Sequence, residues 1–224
     1  MLGLTVAALG ALTVGVGTVL ESQAAAADAS QVGTDLDAAL DETVQGYHSG
    51  RVRFSAGRLS TADRTVRVLR NGSPVRSVDA GALVFESGDR RAAYLAGALV
   101  RGRGGAAWLT EGPSVTGSAR NGVLVVGVPR LGAGDLAVGG TGGAPVTLET
   151  NVSHRRVDLG RGRFAVAVET ATPEAFARHF REANATTTRQ DFDGDGTPSV
   201  VARFPGRRQA YLVVHDLALE VADG

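Results

Sequence analysis

Residues 1–20, MLGLTVAALGALTVGVGTVL, carry no charged side chain, and Glu21 ends the run. At about 1.5 Å per residue, a helix of this length spans roughly 30 Å, the hydrocarbon thickness of a bilayer. A helix lying on a globular core shows a polar face, and this stretch shows none. It therefore predicts a single membrane-spanning helix over residues 1–22. A secretory signal has a basic start and a shorter apolar core. No Arg precedes the run here, but Ala24–Ala27 offer small residues to a signal peptidase, so a cleaved signal is the alternative. Gly3, Gly10, Gly15 and Gly17 are small enough for such helices to pack closely on one another.

Beyond Glu21 the pattern becomes amphipathic. Val32, Leu36, Leu40, Val44 and Tyr47 recur at spacings of four and three, with Asp28, Gln31, Asp35, Asp37, Asp41 and Glu42 between them. One apolar stripe on an acidic background predicts a helical stalk over residues 23–50, closed by Gly46 and Gly50. From Arg51 the period drops to two. Val52 and Phe54 alternate with arginines, as do Val66 and Val68, and Asn71-Gly72 is a type I′ hairpin signal. Further strands are expected at Ala82–Phe85, Arg91–Val100, Ala106–Leu109, Gly122–Val128, Pro145–Glu149, Arg163–Glu169, Ser199–Phe204 and Gln209–Val221, with a mobile Gly-rich loop over Gly132–Pro145. Thr172, Pro173 and Glu174 open one inserted helix, with Phe176 and Phe180 on its buried face. The expected fold is mainly β: a long N-terminal hydrophobic helix, then an antiparallel sandwich or barrel over residues 51–224.

Composition excludes two classes of function. The chain has 23 basic and 23 acidic residues, a net charge of zero, which gives no excess for a nucleic-acid backbone. It has no Cys, so disulfides and thiolate metal sites are absent. Every basic residue is Arg.

The apolar opening ending in Glu21, the continuation QAAAADAS, and the segments ALVFESGDRRAAYLAGALVRGRGG, NGVLVVGVPRL, VAVETATPEAFARHFREANATT, DFDGDGTPSVVA and AYLVVHDLALEV together resemble a haloarchaeal family of pilin-like or archaellin-like exported proteins. The resemblance covers nearly the whole chain. It implies a cell-surface protein of structural or adhesive role, held in the membrane or in a surface filament, with other pilin-like subunits as partners of the N-terminal helix. Type IV pilin precursors carry a basic leader and an early acidic residue, whereas here the apolar run opens the sequence and Glu21 closes it. A monomeric, anchored extracellular binding module is the alternative function.

Asp191-Phe192-Asp193-Gly194-Asp195-Gly196 matches the first half of a calcium loop, in which alternating carboxylates converge on one hard cation. Asp191, Asp193, Asp195 and Thr197 are the candidate ligands, Ser199 gives a water-bridged contact, and calcium is the candidate cofactor. Position twelve is Ala202 instead of the bidentate Glu, so a distant acid such as Glu182 would have to complete the set. Asn71, Asn151 and Asn184 head N-x-S/T sequons and are candidate glycosylation sites. No catalytic residue is assigned: the four His form no metal-binding spacing, GPSVTG misses the nucleophile elbow by one residue, and GGTGG lacks the Lys of a phosphate loop.

Overall fold

The computed structural model describes residues 23–118, 121–141 and 145–222. The central layer is a sheet of six strands in the order β11 (Ala137–Thr141), β2 (Ala56–Ala62), β5 (Ala82–Ser87), β6 (Arg90–Leu95), β7 (Ala98–Arg103) and β8 (Ala106–Glu111). Its middle strands read ALVF, AAYL and ALV because both faces are covered. Ala82, Val84, Ala93, Leu95, Ala98 and Val100 enter one core, while Leu83, Phe85, Ala92, Tyr94 and Leu99 enter another on the opposite side. An apolar run without alternation is the expected signature of a strand buried on both faces.

The first core is closed by a five-strand sheet in the order β14 (Thr186–Gln190), β15 (Ser199–Arg203), β13 (Phe164–Glu169), β3 (Thr65–Arg70) and β4 (Ser73–Asp79). Helix α2 (Pro173–Glu182) adds Phe176 and Phe180, which are 0% and 1% exposed. Pro173 starts this helix and Glu174 sits in its first turn as expected, but Thr172 makes no side-chain cap bond. Its hydroxyl instead lies 3.2 Å from that of Thr170.

The remaining sheet runs β1 (Gly46–Val52), β12 (Val146–Gly162), β16 (Arg208–Asp216), β10 (Val123–Arg130) and β9 (Val115–Ser118), with β17 (Glu220–Ala222) also on β12. The 17-residue strand β12 bridges both cores, giving Val146, Leu148 and Val152 to the second and Leu159 to the first. Its pairing with β16 shifts between Asp158 and Gly160, where the Asp158 carboxylate accepts the Gly160 amide at 2.7 Å. That is a β-bulge, which bends the strand locally.

The second core is closed by helix α1, residues 23–39. Val32, Leu36 and Leu40 are fully buried, with Ala29 and Ala39 beside them. Burying each of these three large side chains contributes about 1.5–3 kcal/mol. Polar contacts fix the helix in place. Asp28 Oδ2 accepts from the Ser55 amide at 3.0 Å, the Ser55 hydroxyl at 2.7 Å and the Ala56 amide at 3.0 Å. Asp35 accepts from the Arg53 amide at 3.0 Å, and Arg101 donates to Ser30 Oγ at 2.8 Å. The helix comes so close to β1 that a Cβ on Gly50 would lie 2.4 Å from Ala39 Cβ, so only glycine fits there.

Four expectations are corrected. First, the acidic segment is no stalk: it is a packed wall of the domain, and it ends at residue 39. Asp41 accepts from the Thr43 amide and hydroxyl at 2.9 and 2.5 Å, a local arrangement that competes with helix continuation. Residues 46–52 are strand, and Val44 and Tyr47, assigned above to the buried stripe, are 52% and 64% exposed. Second, the fold is not purely antiparallel. Strands β10 and β16 run parallel from Val123↔Gln209 to Arg130↔Asp216, which the long intervening chain permits. Third, the Gly-rich stretch contributes β11, paired with β2. Fourth, among the described residues no helix is long and apolar enough to cross a membrane. The long apolar N-terminal helix, the transmembrane assignment and the single-pass or filament location built on it therefore find no support in this fold. Residues 1–22, to which the spanning helix was assigned, lie outside the described residues.

Candidate functional site

The acidic loop joins β14 to β15 and folds over the outer face of the five-strand sheet. Asp191 Oδ1 accepts the amides of Asp193 and Gly194 at 3.2 and 2.8 Å, and its Oδ2 accepts that of Gly196 at 3.0 Å. These amide bonds, Gly194 first, hold its carboxyl below the usual range. Asp195 accepts the Thr197 amide at 2.8 Å. Asp193 pairs with the Arg67 guanidinium, which also lies 5.0 Å from the Phe192 ring centroid. Phe192 in turn packs on a small cluster of Leu69, Ala165, Ala167 and Val201.

Beneath the loop lies Glu169, 5% exposed and 3.8 and 3.6 Å from Arg64 and Arg67. Burial raises its pKa, although Arg64 pulls the other way. Ser199, its register partner on β15, is 1% exposed and its hydroxyl has no hydrogen-bond partner. The loop carboxylates of Asp191 and Asp195 thus accept from amides of the loop itself, and that of Asp193 pairs with a guanidinium. Position twelve, Ala202, is fully buried in the first core, and Glu182 is exposed on α2. Among the described residues no group of three or more His, Cys, Asp and Glu side chains is placed to hold a metal ion.

All three sequon asparagines are exposed. Asn71 forms the β3–β4 turn at φ 53°, Asn184 follows α2 at φ 60°, and Asn151 lies on β12 opposite Tyr47.

A second polar cluster, unread in the sequence, lies where α1 passes into β1. Glu42 Oε1 accepts from the Ser114 hydroxyl at 2.7 Å and Oε2 from the Tyr94 hydroxyl at 3.1 Å. Burial, then the Glu42 charge, pushes Tyr94 well above its ordinary value, so the phenol stays a donor. The Glu42 carbonyl oxygen lies 3.1 Å from His215 Nδ1, and His154 Nδ1 lies 2.9 Å from the same nitrogen. Burial lowers the pKa of His215. The contacting pairs of this cluster are 52 to 173 positions apart, so no local spacing announces them. Two open clefts of about 680 and 710 Å³ occur elsewhere, and neither is lined by Asp191, Asp193 or Asp195.

Comparison with known proteins places this arrangement only at the level of family. No curated protein and no solved structure matches the chain. A family model described as "Family of unknown function (DUF7289)" matches residues 1–220, and the chain belongs to that family.

Proposed function

We propose that the described domain is a non-catalytic structural or adhesive module that works by contact, the role implied by the resemblance to pilin-like and archaellin-like subunits. The observation that carries this reading is how the carboxylates are engaged. Asp28 and Asp191 are bound to main-chain amides, Glu42 to Ser114 and Tyr94, and Glu169 lies between two arginines. Carboxylates held in this way pin loops and strands together, a use distinct from proton transfer to a substrate.

Among the described residues, Val44, Tyr47 and Trp108 are the large hydrophobic side chains left exposed, at 52%, 64% and 41%. Tyr and Trp are enriched at protein contact surfaces. Sedimentation velocity on the full-length chain tests the reading. Association that rises with concentration, and weakens in Tyr47→Ala or Trp108→Ala without a change in melting temperature, is the expected result. A strict monomer in every case would exclude self-association and leave the binding-module alternative. A turnover activity abolished by Glu169→Gln would overturn the non-catalytic reading itself.

A further inference from the structure

We propose that His154 and His215 bind a divalent transition-metal ion of the zinc or copper class, with the main-chain carbonyl oxygen of Glu42 as third donor. The two histidines are direct cross-strand partners on β12 and β16. Their rings stand nearly perpendicular, 81°, with centroids 4.9 Å apart.

Proton bookkeeping defines the site. His215 Nδ1 lies 2.9 Å from His154 Nδ1 and 3.1 Å from the Glu42 oxygen. The carbonyl can only accept. A single hydrogen on His215 Nδ1 therefore serves both neighbours, and His154 Nδ1 presents a lone pair. A second hydrogen on His154 Nδ1 would point at the first. His154 Nδ1 and the Glu42 oxygen thus both lie within hydrogen-bond distance of the His215 Nδ1 proton, and a metal ion is the natural replacement for it. When the ion enters, the His215 proton moves from Nδ1 to Nε2 of the same ring, so both imidazoles stay neutral and bind through lone pairs.

The distances suit this exchange. Around a tetrahedral zinc with bonds of about 2.0–2.1 Å, neighbouring donors lie about 3.3 Å apart. The observed separations are within a few tenths of an ångström of that. The two imidazole nitrogens suit zinc, copper and nickel, and the main-chain carbonyl oxygen is the weaker, harder donor of the three. Glu42 is fixed by its bonds to Tyr94 and Ser114, which hold its carbonyl in place. His154 is exposed, which gives the ion a way in and leaves room for water as a fourth ligand. The third donor is main chain, so the site involves only two metal-binding side chains.

The test is titration of the full-length protein with zinc chloride by calorimetry, and with cobalt(II) by visible absorption, at about pH 7.5, where free imidazole is neutral. One ion per chain is expected, with the cobalt spectrum of a tetrahedral site. His154→Gln and His215→Gln should each weaken binding by at least about tenfold. His48→Gln and His179→Gln, which alter the other two imidazoles, should leave it unchanged. If His215→Gln fails to fold, the exposed His154→Gln variant still decides. Absence of saturable binding, or a His154→Gln protein that binds as tightly as the parent, would overturn the proposal.

Discussion

The central sheet is covered on both sides, but by different means. On one side, α2 and the five-strand sheet close the first core with material entirely from the body of the chain, and Phe176 and Phe180 do so by apolar burial. On the other, α1 closes the second core with Val32 and Leu36, joined by Leu40 just past its end, and it is held by bonds that the Asp28 and Asp35 carboxylates accept from main-chain amides. The difference teaches that an acidic amphipathic segment next to an apolar run need not be a stalk. Its stripe is packed into the second core, and two of its acids, Asp28 and Asp35, accept the amides of Arg53, Ser55 and Ala56 at the edge of that core.

The comparison breaks most readily at the two helices. Phe176→Ala should cost about 3–5 kcal/mol and Leu36→Ala about 2–5 kcal/mol in urea unfolding. If α1 were a separate stalk, Leu36→Ala would leave the unfolding midpoint of the domain unchanged. Asp28→Ala sharpens the contrast. It leaves the Ser55 and Ala56 amides without their acceptor, a loss of about 1–2 kcal/mol because the site is only partly shielded. An unchanged midpoint would show that apolar burial alone seats the helix.

The smallest effect is expected at Glu169, the acid buried beneath the acidic loop. Its folded pKa is raised by burial above the ordinary 4.5, so the native state binds more protons than the unfolded state in the window just above that value. Stability therefore falls as pH rises from about 4.5 through the folded pKa. Glu169→Gln should flatten that slope in melts across the same range, and an identical slope in parent and variant would refute the assignment.

Much of the fold could be read where the signal is local. Asn71-Gly72 makes the β3–β4 turn at φ 53° and 94°, Pro173 and Glu174 open α2, and the apolar stretch at Val123–Val128 is buried strand. Reading failed where the signal is distant or weak. Residues 91–100 look like one continuous segment, yet Ala96 and Gly97 turn the chain at φ 53° and 77°, and alanine gives no warning of a left-handed conformation. The parallel pairing of β10 with β16 leaves no trace in either strand. In the acidic loop the carboxylates were legible, but their partner was not: Arg67 lies 126 positions from Asp193. The histidine pair was invisible for the same reason, since register across β12 and β16 depends on the whole sheet.

Strand β12 also imposes a reading frame in three dimensions. Val146, Leu148 and Val152, all even-numbered, point to one core, while Val157 and Leu159, both odd, meet the other. Inserting or deleting one residue between Val152 and Val157 would be a spatial frameshift, presenting the wrong parity to one core or the other. Length changes in steps of two keep the frame, so tolerated variation in this strand should come in pairs.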